Sequence, residues 1–582
     1  MAIKKSELYS SLWAGADSLR GGMDASEYKN YVLNLLFLKY ISDKARNDAK
    51  NNTYSAIEVP QGCFYEDILA LEGDKEIGDK LNKIIAEIAE QNESIKGVID
   101  SVDFNDNTKL GEGKAMIDTL SNLVKIFADL SLGAHGALDD DLLGDAYEYL
   151  MRHFASESGK SKGQFYTPSE VSLLLSLLLG IDENTKQDKS IYDPTCGSGS
   201  LLLKASSLAG KNGLTIYGQE KDISTTALCK MNMILHNSAD ADIAKGGSST
   251  LSNPFFIKNG MLQTFDYVVA NPPFSLKNWT DGLSIDPKSK QIINDRFNRF
   301  EDGTPPEKNG DFAFLLHIIK SLKDTGKGAV ILPHGVLFRG NAEGAIRKNL
   351  LTKGYIKGVI GLAPNLFYGT SIPACVIVLD KENARARKGV FMIDASKDFK
   401  KDGNKNRLRE QDIQKMIDTF NALKEIPYYS KMVSLEEISA NDYNLNITRY
   451  IAAKQESEKD LFALINSHKA SYLPKNEIKA YAPYFKVFKE LKNTLFKKSD
   501  KEGYYALKTE CENIKDLIIQ DKWLKSLKNA LENKILKRIN AFTSALDEII
   551  SNYSNSLLEL DKEVKESESK VLEHLKDLGL MG

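Results

Sequence analysis

From about residue 165 to residue 395, short apolar runs rich in branched residues alternate with stretches of helical length. The runs are SIYDPTCGSGS, LTIYGQEKD, FDYVVANPPF, GKGAVILPHGVLF, IKGVIGLAP and ACVIVLDK. Strands separated in this way by amphipathic segments predict an α/β domain built on a mostly parallel sheet. The chain has 582 residues, too many for one hydrophobic core, so two to four domains are expected. The core is placed at 151–395.

An N-terminal helical domain is expected over 1–150. Tyr31, Leu33, Leu35, Leu36, Leu38 and Tyr40 form one long apolar segment there. LNKIIAEIAE and MIDTLSNLVKIFADL repeat apolar residues three and four apart. The region is acidic between Glu58 and Glu148 and holds no glycine-rich turn. Residues 396–455 read as a polar extension of the core ending in SANDYNLNITRY, and 456–582 as a helical tail. In that tail KVFKELKNTLFKK is basic and amphipathic, with Lys486, Lys489, Lys492, Lys497 and Lys498 on a stripe. That stripe is either a solvated face or a phosphate contact. Leu531, Ile535, Ile539, Phe542, Leu546 and Ile549 make a coiled-coil or bundle seam, packing within the chain or on a partner.

Lys and Arg total 77 against 80 Asp and Glu, a net charge of -3. Any nucleic-acid surface must then be a local patch or be completed by a partner. The five cysteines are dispersed, and neither CxxC nor HExxH occurs. A reducing cytoplasmic location and no metal site are expected. No apolar leader is visible, and Val171–Leu179 has half the length needed to cross a bilayer. No membrane partner is expected.

DPTCGSGSLL, Asp193 to Leu202, follows a strand-like run and feeds a helix. Gly197 and Gly199 permit a tight turn and close approach of a ligand. No lysine follows them, so the loop is not a phosphate-cradling P-loop, and Leu202 stands where a dinucleotide fingerprint has its third glycine. Glu220 ends the next strand-like run, where an acid accepts hydrogen bonds from ribose hydroxyls. A nucleoside with a positive centre and no phosphate suits this pair of segments. S-adenosyl-methionine meets that description, and its cationic groups suit acidic neighbours such as Asp193.

FDYVVANPPF carries the reaction chemistry. A hydrophobic run ends in Asn271-Pro272-Pro273-Phe274, where two prolines stiffen the backbone and lack amide donors. The Asn271 amide oxygen and the Pro272 carbonyl then form two acceptors that match the two N–H donors of an exocyclic amine such as adenine N6. Phe274 offers a stacking face for a base out of its helix. TPPEKNG, which follows, is either a mobile lid or a plain surface loop.

In these motifs the chain resembles the class I S-adenosyl-methionine-dependent methyltransferases with an NPPF-type tetrapeptide. It resembles more closely the modification subunits of type I restriction-modification systems, which are adenine N6-methyltransferases acting on DNA. The likeness runs through LWAGADSLRG, GQFYTP, DPTCGSGSLL, YGQEKD, NPPF, ILPHGVLFR and NLNITRY. It implies a Rossmann-like core with an N-terminal helical domain and a C-terminal helical or coiled-coil tail. Phe165, Tyr166, Thr167 and Pro168 are implied to lie against the methionine part of the cofactor. Asp193, Thr195, Gly197, Gly199 and Ser200 are implied to wrap it, with Glu220 on the ribose. Asn271, Pro272 and Phe274 are implied to hold the target amine and base, with Asn271 also among the cofactor-binding residues.

The sequence departs from the family pattern at Ser248-Ser249-Thr250-Leu251, where an acid often precedes Thr-Leu. Asp266 is assigned a structural role. The implied partners are DNA, a specificity subunit, a second modification subunit and a restriction subunit. Two other readings stay open: methylation of protein glutamine or of RNA, and a non-catalytic assembly subunit with a degenerate core.

Overall fold

The computed structural model describes residues 25–128 apart from 54–56, residues 147–151 apart from 148, and residues 167–451 apart from 211–212, 369 and 404. Beyond 451 it describes 472–479, 482, 496–499, 502–507, 562 and 565–570. The chain divides into two compact units, Met1–Lys454 and Gln455–Gly582. LWAGADSLRG, Phe165, Tyr166 and the Leu531–Ile549 seam lie outside the described residues, as do Lys486, Lys489 and Lys492.

The first helical region is built on α1 (Ala25–Lys50), α2 (Ile77–Gln91) and α3 (Lys114–Ile126). Apolar residues surround much of α1, so Leu33, Leu35, Leu36, Phe37 and Leu38 are all buried, as befits a helix enclosed on every side. The other two are one-sided. Ile77, Leu81, Ile85 and Ile88 line the buried face of α2, and Met116, Leu120, Leu123 and Val124 that of α3. This core runs on into Leu228, Met231 and Leu235 of the α/β region. The Tyr147 hydroxyl adds a bond to the Leu228 carbonyl at 3.1 Å.

In the α/β region, helix α4 (Ser169–Leu178) precedes β1 (Ser190–Asp193), α5 (Ser200–Leu208), β2 (Thr215–Gly218), α6 (Ile223–Leu235) and β3 (Asp242–Ile243). Then come β4 (Phe265–Ala270), α7 (Asp311–Lys320), β5 (Leu322–Pro333), α8 (Asn341–Thr352), β6 (Ile356–Gly361), β7 (Ala374–Asp380) and β8 (Gly389–Asp394). A hairpin of β9 (Lys400–Asp402) and β10 (Lys405–Arg407), helix α9 (Glu410–Asn421) and β11 (Ser430–Ser434) complete the unit.

Nine strands form one sheet in the order β11-β8-β6-β7-β5-β4-β1-β2-β3. The pairings on either side of β1 and β4 are parallel, whereas β7 runs antiparallel to both its neighbours and β11 to β8. The mostly parallel expectation therefore holds, and the sheet reaches past residue 395 through β11. Strand β7 is buried at every position, the continuous apolar run that burial on both faces requires.

From β1 the chain builds outward through β2 and β3, then returns to lay β4 on the other side of β1. Between β1 and β4 the strand order reverses, and the loops leaving their carboxyl ends diverge. A crevice at such a reversal is where open α/β sheets receive ligands.

The second unit contains a three-stranded antiparallel sheet of β12 (Tyr472–Pro474), β13 (Phe496–Lys498) and β14 (Tyr504–Leu507), in the order β12-β14-β13. Lys497 and Lys498 thus sit on a strand, which corrects the helix expected for them. Their strand pairs with β14, Lys498 opposite Tyr505 and Lys497 opposite Ala506, and Phe496 packs on Tyr505 with ring centroids 6.0 Å apart. Cross-strand burial of aromatics outweighs the helical spacing of the lysines.

Candidate functional site

Three segments converge on the carboxyl edge of the sheet, leaving the parallel strands β1, β2 and β4. The first is the glycine loop after β1. Asp193 is the last residue of that strand, and its Oδ1 accepts bonds from the Thr195 amide at 2.9 Å and its hydroxyl at 3.4 Å. The Cys196 amide bonds the Gln219 carbonyl, and the Gln219 amide bonds the Asp193 carbonyl, each at 3.0 Å. Gly199, at φ +83°, turns the chain into α5. A Cβ there would lie 2.5 Å from Met233 Cε and 3.0 Å from Cys229 Sγ, so the position is closed to a side chain on two counts. Asn232 of α6 holds the loop from outside by donating to the Ser198 carbonyl at 2.9 Å.

Glu220 follows β2. Its Oε2 accepts from the Gly197 amide at 3.1 Å, and its Oε1 accepts from the amides of Lys221 and Asp222 at 2.8 and 3.0 Å. The acid therefore ties the glycine loop to the neighbouring strand end. Each carboxylate oxygen has two acceptor positions, so lone pairs remain for hydroxyl donors.

Neither acid pairs with a cation among the described residues. Burial pushes the Asp193 carboxyl up to about 8, with further upward pressure from Glu220, against the Thr195 bonds that pull it down. Burial also raises Glu220. The buried Asp193 Oδ2 has no hydrogen-bond partner among the described residues. A buried acidic oxygen without a donor favours a cationic or N–H-bearing ligand, so the residues fit a positively charged nucleoside cofactor.

The third segment leaves β4 as Asn271-Pro272-Pro273-Phe274. Asn271 is buried, and its Nδ2 donates to Thr167 Oγ1 at 3.1 Å. Thr167 and Pro168 lead into α4, where the Pro168 carbonyl accepts the first amide bonds. Phe274 is largely covered, with 8 % of its surface exposed, and meets Phe367 edge to face at 6.2 Å. Ser275, at φ +51°, continues the turn, and its amide donates to Asp311 Oδ1 at 2.7 Å.

Several positioning residues escaped the sequence reading. Asp311 is fully buried at the start of α7, and Arg339 of the ILPHGVLFR segment bonds its Oδ2 at 2.5 Å while also pairing with Glu343. Gln219 is fully buried and anchors the segment after β3. It accepts from the Phe255 amide at 3.0 Å and donates to the carbonyls of Asn253 at 3.1 Å and Ser248 at 3.4 Å. Arg299 is buried against Asp295 at 2.8 Å and reaches the Thr250 carbonyl. Gln219 and Arg339 lie inside motifs read for other residues, whereas Asp311 and Arg299 lie in none.

Asp266 sits at the opposite end of β4. Burial alone would raise its carboxyl, but Lys323 at 2.6 Å, Lys189 at 2.9 Å and two Ser190 donors hold it down to about 2. The TPPEKNG loop is pinned. Trp279 Nε1 donates to the Pro306 carbonyl at 2.8 Å, and the Gly310 amide to the Leu276 carbonyl at 3.0 Å. Of the two readings of that loop, the anchored surface loop agrees better with these bonds. The Cys196 thiol is raised by its hydrogen bond to Cys229 and by burial, and burial raises that of Cys375. Both are poor nucleophiles in this setting.

Among the described residues no cluster of His, Cys, Asp and Glu could hold a metal ion, and no helix is long and apolar enough to cross a membrane.

Residues 138–459 match the family described as N-6 DNA Methylase, and residues 8–127 the HsdM N-terminal domain. The type I restriction enzyme MpnII methylase subunit of Mycoplasma pneumoniae is 32% identical over 77% of this chain and 90% of its own. The MjaVII methylase subunit of Methanocaldococcus jannaschii is also 32% identical, over 78% of this chain and 79% of its own. Among solved structures, the type I restriction-modification system methyltransferase subunit from Streptococcus thermophilus superposes with a TM-score of 0.66 at 33% identity. It covers 77% of this chain and 100% of that one.

Proposed function

The chain belongs to the N-6 DNA methylase family, among the methylase subunits of type I restriction enzymes, and from that premise we propose that it methylates adenine N6 in DNA as a modification subunit. The observation that carries the proposal is the juxtaposition at the sheet reversal. A buried Asn271, oriented by Thr167, follows the strand adjacent to the one that ends in the unpaired acid Asp193.

Asp193, Thr195, Gly197, Gly199 and Ser200 would hold S-adenosyl-methionine, with Glu220 on its ribose and Phe165, Tyr166, Thr167 and Pro168 along its methionine part. When bound, the cofactor supplies a methyl group activated by its sulfonium. With its Nδ2 directed to Thr167, the Asn271 amide presents its oxygen on the opposite side, as the acceptor for the target amine. Accepting from that amine, together with the Pro272 carbonyl, pulls its nitrogen toward the tetrahedral geometry of the transition state. Phe274 supplies an aromatic edge or face against the purine. A duplex base must be extruded to reach this position. The amine is its own nucleophile and needs no enzyme thiol, and the departing proton passes to water.

DNA, a specificity subunit that reads the sequence, a second modification subunit and a restriction subunit complete the proposed assembly, in the cytoplasm. The near-neutral charge is consistent with recognition residing largely in a partner.

The test is co-expression with the products of neighbouring reading frames, followed by methylation mapping of host DNA and by the Asn271→Ala variant. Loss of one preorganised acceptor is expected to reduce methyl transfer by about 10²–10³, with cofactor affinity by titration little changed. Undiminished transfer by the variant would overturn the role of Asn271. A wild-type complex that leaves adenine unmodified but methylates protein or RNA would overturn the substrate.

A further inference from the structure

We infer that the β9–β10 hairpin and the adjoining face of α5 form a cationic groove for the DNA backbone beside the extruded base. The inference rests on the DNA reading above and extends it to a surface of this chain.

Between α4, α5, the hairpin and the start of α9 lies an open pocket of about 440 Å³. Its cations are Lys204, Lys400, Lys401, Arg407 and Arg409. Two of these are partly neutralised: Arg407 approaches Glu170 at 3.8 Å, and Arg409 pairs with Asp412 at 2.8 Å. Lys204, Lys400 and Lys401 form no ion pair among the described residues, and Lys400 and Lys401 are exposed. Asp402 and Glu410 are the remaining acids of the pocket.

The hairpin is fastened to the wall of the site. Asn406 bonds the backbone of Asn365 at 3.0 Å and of Pro364 at 2.6 Å, and Lys405 Nζ bonds the Phe367 carbonyl at 2.6 Å. Phe367 is the residue against which Phe274 packs. On the other wall, Ser169 and Glu170 open the helix that Thr167 leads into, and Thr167 holds Asn271. Two independent paths therefore connect the groove to the tetrapeptide.

A chain with net charge -3 repels a polyanion as a whole. Exposed lysines without acidic partners, on a hairpin fastened to the wall of the site, offset that repulsion where the duplex must approach.

The test compares wild type with a Lys400→Gln/Lys401→Gln variant, each a full chain assembled with its specificity subunit, on a DNA duplex carrying the site found by methylation mapping of host DNA. Affinity is followed by fluorescence anisotropy between about 50 and 200 mM salt. Each lost phosphate contact lowers the slope of log K against log salt by about 0.9, so the double variant should show a slope shallower by about 1 to 2. Its cofactor affinity should match wild type, and its methylation should recover as salt is lowered. Asp402→Lys should shift slope and affinity in the opposite direction, a gain that no folding defect produces. Unchanged slopes in both variants, with wild type binding and methylating DNA, overturn the groove and leave the functional reading intact. Loss of subunit assembly at an unchanged slope makes the patch a protein interface and likewise overturns it. A wild-type complex that neither binds nor methylates DNA overturns the functional reading, and the groove with it.

Discussion

Thr167 Oγ1 accepts a hydrogen bond from Asn271 Nδ2 at 3.1 Å between residues 104 positions apart in the chain. An amide side chain turned by half a revolution would exchange its oxygen for a donor, and a donor cannot accept from the target amine. In the productive orientation the threonine hydroxyl accepts from that amide, and it sits on a segment assigned above to the cofactor.

Thr167→Val keeps the shape and removes the acceptor. Methyl transfer should fall about tenfold, the equivalent of about 1.4 kcal/mol for one neutral hydrogen bond. Thr167→Ser should restore most of the rate. Single-turnover methylation at saturating cofactor separates this from cofactor binding, which titration follows independently. A valine variant at full rate would remove the orienting role.

Asp193 makes the cofactor site pH-dependent. Its carboxyl lies near 8 in the folded chain because of burial and Glu220, and its ordinary value of 3.8 is taken for the unfolded chain. The protonated form therefore contributes stability that is fully present below pH 3.8 and is lost as the pH rises through about 8. A cationic ligand requires the ionised form, so cofactor affinity should climb by about tenfold per pH unit below the folded value and level off above it. Asp193→Asn should flatten both profiles, with weaker cofactor binding throughout. Calorimetric titration and thermal melts between about pH 6 and 9 measure them, and a wild-type affinity independent of pH would contradict the assignment.

Arg339 closes a buried set of charges under the tetrapeptide. Its guanidinium pairs with Asp311 and Glu343, of which 0 % and 2 % of the side chains are exposed. Arg339→Met should destabilise the fold by about 3 kcal/mol, because two buried carboxylates lose their cation. Asp311→Asn in the same chain should recover part of that loss while its amide oxygen still accepts from Ser275. Denaturant unfolding gives the stabilities. If the double variant is no more stable than Arg339→Met, charge burial is not the cause.

The order of strands and helices, the glycine loop, Glu220 and the NPPF tetrapeptide were legible in the amino-acid sequence, because each depends on local periodicity or on residues a few positions apart. Asp193, Glu220 and Asn271 could be named from their motifs alone. Their individual contacts could not. Glu220 fastens the Gly197 amide, and Gln219 anchors the Ser248 to Phe255 segment, through bonds that span a strand crossover. The misread lysines of β13 show the opposite error, in which local spacing suggested a helix and a distant strand supplied better burial.

The sequence by itself determined the alternation of elements and the chemistry available at each strand end, since these follow from backbone propensity and side-chain type. Tertiary structure decided which ends face one another. The reversal between β1 and β4 places Asp193 near Asn271, and the approach of α4 brings Thr167 to that asparagine's amide nitrogen. Such pairings depend on how layers pack and how buried polar groups find partners across long separations, and no periodicity along the chain encodes them.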